Sequence, residues 1–362
     1  MKRRQFLTAA AVAGLAASFP APALAQGQRQ LKMVTTWPKN FPGLGTGAQR
    51  LADRIGRMSG GKLTVKLFAA GELVPEFESF DAVSSGAADL YHAAEYYWQG
   101  KSKAFNFFAA VPFGMTAAEI NAWIYHGGGQ KVWDRLSAKF NLKPFLCGNT
   151  GVQMGGWFNK EIHGVEDYKG LKIRMPGLGG EVLRRIGAAA VALPGSEIFP
   201  SLQSGAIDAT EWVGPWNDLA FGFYKVAKFY YYPGFHEPGT ALSCAVNLKV
   251  WENLSAEHKA IIEAAAAAEN DFMLAEFNAR NNDALAVLRN KHGVKLRRFS
   301  DSTLLAIGAA AGVVVSEVGA SDAFTGGVYN SFIEFRKKSI AWSKLSDQAF
   351  WKARLLPFKY GG

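Results

Sequence analysis

The stretch GLKIRMPGLGGEVLRRIG, residues 170–187, reads as a short strand, a proline–glycine turn and a helix. Lys172 and Arg174 alternate with the apolar Leu171, Ile173 and Met175, the period of a half-buried strand. Pro176-Gly177 breaks that strand, and the residues after it rise into a helix. Arg174 is the last polar residue before the turn. A guanidinium at a strand end, facing a helix N-terminus with free N–H groups, is suited to holding an anion. A buried arginine otherwise requires a protein carboxylate as its partner.

Outward from this unit the same grammar recurs. AVALPGSEIFPSLQSGAIDATEW, residues 190–212, predicts strand, turn, short helix, glycine stop and strand. Residues 63–93 do likewise, and both copies place Ser-Gly-Ala-x-Asp after the helix, at 85–89 and 204–208. Glycine takes the left-handed position that ends a helix, and the acid opens the turn into the next strand. Strand–helix–strand units mark an α/β fold, and their repetition predicts two lobes. From about residue 255 the chain is rich in Ala, Glu and Leu. Ser255 is placed to cap a long helix that Gly293 closes, and two further helices are expected near 301–319 and 325–345.

The N-terminus, MKRRQFLTAAAVAGLAASFPAPALAQ, has a basic head, an apolar run and small residues before Gln26. It predicts an export signal over 1–25, and Arg3-Arg4-Gln5-Phe6-Leu7 resembles a twin-arginine signal. The apolar run at 304–316 is shorter than the roughly 18 residues a membrane helix needs, so the mature chain is expected to be soluble and periplasmic. About 337 residues remain, enough for two lobes. The net charge of +10 falls to about +7 without Lys2, Arg3 and Arg4, and the basic residues are dispersed, which argues against a nucleic-acid partner. Cys147 and Cys244 read as buried small apolar residues, and an oxidising compartment would also permit a disulfide between them.

Enzyme signatures are absent from the sequence. It has no P-loop, no G-x-S-x-G elbow, no Cys-x-x-Cys and no H-E-x-x-H, and GLGGEV at 177–182 has Val182 where a dinucleotide motif needs its third glycine. Four segments instead carry polar groups in apolar or aromatic settings. NTGVQMGGWFN offers Gln153, DATEWVGPWN offers Glu211 and Trp212, YYYPGFHEPGT offers Glu237, and LYHAAEYYWQG offers Tyr96 and Tyr97. Carboxylates and an amide oxygen are hard ligands, suited to Na⁺ or Ca²⁺.

GLKIRMPG followed by LPGSEIFPSLQSGAIDATEW resembles the central signature of the solute-binding proteins of TRAP (tripartite ATP-independent periplasmic) transporters, and the likeness runs over essentially the whole mature chain. AAEYYW, GVQMGGWFN, ATEWVGPWND and YYYPGFHEPG resemble the group that binds 2-oxo acids and lactate. The resemblance implies a two-lobed α/β periplasmic binding protein with long C-terminal helices. Lobe I would comprise 26–150 with part of 238–290, lobe II 151–237, and a helical region, 255–362, would brace the two. It implies that Arg174 holds the carboxylate of a small monocarboxylate, and that Gln153, Glu211, the Trp212 carbonyl and Glu237 hold a cation, Na⁺ or alternatively Ca²⁺. Tyr96 or Tyr97 would line the opposite lobe. It further implies delivery to TRAP membrane permease subunits, no catalysis, and a homodimer; the alternatives are a lactate or other organic-acid receptor on the same frame, or a periplasmic enzyme. One arginine, two acids and one anionic ligand leave a charge of −2, which Na⁺ half neutralises and Ca²⁺ fully does.

Overall fold

The computed structural model describes residues 28–361; the export signal expected at 1–25 lies outside the described residues. Two sheets form the frame. The first contains β1 (Arg29–Thr35), β2 (Leu63–Phe68), β3 (Leu90–Ala93), β4 (Leu142–Asn149) and β10 (Ala241–Asn247), in the order β2-β1-β3-β10-β4. The second contains β5 (Gly156–Phe158), β6 (Lys172–Arg174), β7 (Ala189–Val191), β8 (Ala209–Thr210), β9 (Phe229–Tyr232) and β11 (Lys295–Arg298). Its order, read from its far edge, is β7-β6-β8-β5-β9-β11.

The first five places of the two orders match, and β11 is an added sixth strand on the second sheet. In each sheet the central strand, β3 or β8, pairs parallel with one neighbour and antiparallel with the other. The repeated Ser-Gly-Ala-x-Asp explains part of this likeness. Gly86 (φ 89°) and Gly205 (φ 75°) both end their helices in the left-handed conformation, which glycine adopts without steric cost. Asp89 then accepts the Lys32 amide at 2.6 Å while its own amide donates to the Lys32 carbonyl at 2.9 Å. Asp208 repeats this with Lys172, at 3.0 and 2.7 Å. Each aspartate thus sets the register of a central strand on its neighbour.

The chain passes between sheets at 150–155, after β4, and at 233–240, after β9. These crossovers are bonded to each other: the Gln153 amide donates to the Glu237 carbonyl at 3.1 Å, and the Thr150 amide to the Thr240 carbonyl at 3.1 Å. The helix Ala256–Asn290 spans both halves. Ser255 caps it by accepting from the His258 amide, as its position in the sequence predicts. Glu269 on this helix pairs with Arg50 of the helix Leu44–Met58, Asn270 accepts from Gly148 at the end of β4, and Asn281 accepts from Trp216 behind the second sheet.

Two expectations are corrected. The region 255–362 is not wholly helical, because Gly293 (φ 65°) turns the chain back and β11 adds to the second sheet beside β9. A parallel neighbour needs a long crossover, and the helix Ala256–Asn290 supplies part of it. The apolar run at 304–316 belongs to a longer helix, Asp301–Gly319, which by length and composition alone could cross a membrane. In the fold its Ile307, Ala311, Val314, Val315 and Val318 are buried in the protein core, and it packs on the helices Gly177–Arg185 and Ala323–Ser343. Cys147 and Cys244 are buried, as expected, and neither is in a disulfide.

Replacing Asp89 or Asp208 by alanine removes charge-assisted bonds to a strand amide. Each is expected to lower unfolding free energy by roughly 1–3 kcal/mol, and the double variant by about the sum, measured by urea denaturation.

Candidate functional site

Strand ends and crossovers converge where the two sheets face one another. β6 delivers Arg174, and its register places Arg174 opposite Thr210, so that Glu211 follows immediately alongside. Arg174 is 1% exposed and Glu211 0%. Arg174 Nη1 donates to Glu211 Oε1 and, at 3.1 Å, to the Glu211 carbonyl, while Nε donates to the Leu193 carbonyl at 3.2 Å. The guanidinium lies 5.1 Å from the centre of the Trp212 ring. Burial by itself would lower the arginine's pKa; the carboxylate of Glu211 outweighs it and keeps the cation charged.

This pairing differs from the simplest reading of the sequence, which reserves Arg174 for a ligand and Glu211 for a cation. Register is the reason: two fully buried opposite charges set side by side by β6 and β8 bond directly. Arg174 keeps one prong in reserve, for Nη2 is buried without a partner.

The crossovers bring the second group. Gln153 Nε2 donates to Glu237 Oε2 at 2.7 Å, and to Thr150 and Thr240 Oγ1 at 3.1 and 3.2 Å. Thr240 also donates to Glu237. Gln153 Oε1 is buried without a partner, as is the indole nitrogen of Trp212. Burial raises the Glu237 carboxyl to about 7, and the negative charge of Glu211 adds to the shift. Tyr96 and Tyr97 enter from the first sheet, just after β3, with rings 4.8 Å apart and perpendicular. Burial pushes the Tyr97 hydroxyl up to about 12 and that of Tyr96 well above its ordinary value, so both remain neutral donors.

All seven residues nominated from the sequence therefore meet in one region. Sequence reasoning missed His236, whose Nε2 lies 3.2 Å from Glu211 Oε2. Ligand atoms of Glu211, His236 and Glu237 lie within 4.8 Å of one another. Burial opposes the charge on His236, but the bond to Glu211 prevails and raises its pKa. His236 directly precedes Glu237, and Thr240 follows three residues later, so FHEPGT carried the signal. Glu211, Glu237 and the free Gln153 Oε1 form a donor set that fits a hard cation.

The space beside Trp37, Gln153 and Thr240 is small, about 10 Å³, or room for one water molecule. A larger cavity of about 410 Å³ opens between Lys103, Arg184 and Glu317. Its arginines are already committed, Arg184 to Glu181 and the Ala190 carbonyl, Arg185 to Glu317, so it lacks the convergent free groups of the inner cleft. Gly177 (φ 60°) shows how closely the halves approach: a Cβ there would come within 3.0 Å of Tyr96 and 3.1 Å of Asn106.

A two-lobed fold with charged groups converging in an inter-lobe cleft has the form of a ligand-binding protein. Residues 33–322 match the family described as DctP, bacterial extracellular solute-binding protein, family 7, and the chain belongs to that family, the solute-binding proteins of TRAP transporters. It is similar to the monocarboxylate 2-oxoacid-binding periplasmic protein of Nostoc sp., 42% identical over 319 residues, which are 88% of this chain and 87% of that one. Two solved TRAP periplasmic solute-binding proteins are each 38% identical with a TM-score of 0.87. One, from Pseudoalteromonas atlantica T6c with bound sodium and pyruvate, is matched over 92% of this chain and 100% of its own. The other, from Colwellia psychrerythraea with bound calcium and pyruvate, is matched over 90% and 99%.

Arg174→Met alone strands Glu211 in the interior and is expected to cost about 3–5 kcal/mol of stability. Adding Glu211→Gln should recover much of that loss, measured by thermal denaturation of both variants.

Proposed function

We propose that the mature protein captures a small 2-oxo acid of pyruvate type together with Na⁺ or Ca²⁺ in the periplasm and hands it to a TRAP membrane permease. The observation that carries this reading is the pair of unpartnered buried atoms, Arg174 Nη2 and Gln153 Oε1, beside Glu211 and Glu237. The first is a donor for a carboxylate and the second an oxygen for a cation. Arg174 would hold the carboxylate, with Trp212 beneath it and Tyr96 or Tyr97 opposite. Gln153, Glu211, the Trp212 carbonyl and Glu237 would hold the cation, which supplies a positive centre for the acid's carboxylate and keto oxygens. No bond is made or broken in this role, and export would depend on the signal at 1–25. A second copy of the chain is proposed to cover the C-terminal tail, where Trp342, Leu345, Leu355, Leu356, Phe358 and Tyr360 are all more than half exposed.

The deciding experiment is thermal denaturation of refolded, ligand-stripped protein with pyruvate, 2-oxobutyrate, lactate or succinate, in sodium, calcium or a salt of neither. An acid at a hundredfold its Kd should add about 2.7 kcal/mol. Stabilisation by oxo acids that vanishes without the cation supports the proposal; no response to any acid sinks it. Removing residues 344–362 should convert a dimer to a monomer by light scattering.

Cation binding should also depend on pH. A carboxyl raised from its ordinary 4.5 to about 7 binds its proton more tightly when folded. Its contribution to stability is therefore full below pH 4.5 and lost as pH rises through 7. A cation needs the carboxylate, so its affinity should fall roughly tenfold per pH unit below 7 and level off above it, with proton release on binding. Calorimetry at pH 6 and pH 8 in buffers of different ionisation enthalpy checks this, and Glu237→Gln should remove the proton release.

A further inference from the structure

His92 and Glu211 occupy matching places in the two halves. Each lies three residues after the aspartate that sets the central strand's register, Asp89 in one case and Asp208 in the other. Glu211 fixes Arg174, a wall residue of the cleft, and His92 fixes another. Trp37, two residues beyond β1, donates its indole N–H to His92 Nδ1 at 2.8 Å. His92 Nε2 lies 2.8 Å from the Cys147 carbonyl.

Indole nitrogen can only donate, so Nδ1 accepts; Nε2 then carries the proton and donates to the carbonyl. One neutral tautomer satisfies the whole chain of bonds. Burial lowers the His92 pKa to about 4, which keeps the ring neutral at any pH the protein meets in neutral surroundings. The charged groups acting on it are few: Arg50 lowers it and no acid opposes that. His92 also sits in β3 between β1 and β10, and its carbonyl accepts from Thr35. The imidazole is a fixed post on a central strand.

The indole it holds is 2% exposed and reaches across the cleft, edge-to-face with Trp212 at 6.1 Å and tilted on Tyr97 at 6.2 Å. Trp37, Leu44 and Leu242 supply apolar lining to the small space that Gln153, Thr150 and Thr240 line with polar groups. With the acid's head assigned to Arg174 and Gln153, its alkyl tail is left to Trp37, Leu44 and Leu242. Swinging the indole aside to admit a longer tail would break its bond and strand two buried polar groups.

We propose that Trp37 sets the length of acid the cleft accepts, and that His92 is the positioning residue that locks its indole. This rests on the 2-oxo acid reading and deepens it: short, unbranched acids are favoured because the wall is rigid.

The test is calorimetric titration of pyruvate, 2-oxobutyrate, 2-oxovalerate and 4-methyl-2-oxovalerate, in one cation throughout, into the full mature protein and four variants. Trp37→Ala should move the affinity ratio of pyruvate to 4-methyl-2-oxovalerate by about 100-fold toward the longer acid, and Trp37→Phe by less. His92→Leu should shift the ratio the same way, while His92→Gln restores it, because glutamine can accept from the indole and donate to the Cys147 carbonyl. A merely structural role would weaken every acid by the same factor, and that outcome overturns the proposal. Should His92→Leu not fold, exchange of the Trp37 indole proton by NMR, assigned through Trp37→Phe, decides the lock: slow exchange upholds it and fast exchange overturns it. Wild-type protein that binds none of the four acids removes the 2-oxo acid reading and this inference together. Wild-type binding with an unchanged ratio in the Trp37 variants removes this inference alone.

Discussion

The structure turns on one buried guanidinium. At a separation of a few ångströms and an effective dielectric near 20, a charge pair gains about 4 kcal/mol, and the desolvation of each ion costs several. Arg174 with Glu211 is therefore close to break-even as a source of stability, and apolar side chains of like volume would serve the core as well. What the pair provides is a fixed charge in a dry place. Two backbone carbonyls, the Trp212 ring and the carboxylate hold the arginine, and His236 holds the other oxygen of Glu211. The remaining prong is left pointing at no protein acceptor. A small monoanion offers few contacts, so its affinity has to come from charge-assisted bonds of this kind.

The second constraint is the pairing of the two crossovers. Gln153 and Glu237 lie on different passages between the sheets, and they bond both through their backbones and through their side chains. Residues from either half reach the same space: Trp37 and Tyr97 from one, Trp212 from the other, with Gln153 and Thr240 on the connections. A ligand bound there, as proposed, would touch both halves and both connections at once. The helix Ala256–Asn290 is bonded to both halves, through Glu269 to one and Asn281 to the other.

Local pattern carried much of this. The strand–turn–helix at 170–187, the Ser-Gly-Ala-x-Asp repeats and the Ser255 cap depend on neighbours within a few residues, and each could be read from the chain. Arg174 was legible because a strand end beside a helix start has a chemistry of its own. Its partner was not, since Glu211 is 37 residues away and only the β6–β8 register brings it near. His92 and Trp37 are 55 residues apart and each looks ordinary alone. The strand β11, Lys-Leu-Arg-Arg, is only four residues long and polar at three of them, and gives no period-two signal among helices. Distances in sequence, more than residue type, decided what stayed hidden.

The like charges of Glu211 and Glu237 also bear on the choice of cation. With Arg174 charged, a monoanionic acid bound, both glutamates ionised and His236 neutral, the site carries −2, which one Ca²⁺ balances. With one proton retained, either on Glu237, whose carboxyl is held at about 7 by burial and by Glu211, or on His236, whose pKa the bond to Glu211 raises, the site carries −1, which one Na⁺ balances. A proton and the second charge of the metal are thus interchangeable at this position. On the proposed reading, one set of side chains can accommodate either ion by keeping or releasing a proton, with no change of ligand residues. The tuning comes from burial: an exposed glutamate would be ionised throughout the neutral range and would present the same charge to every cation.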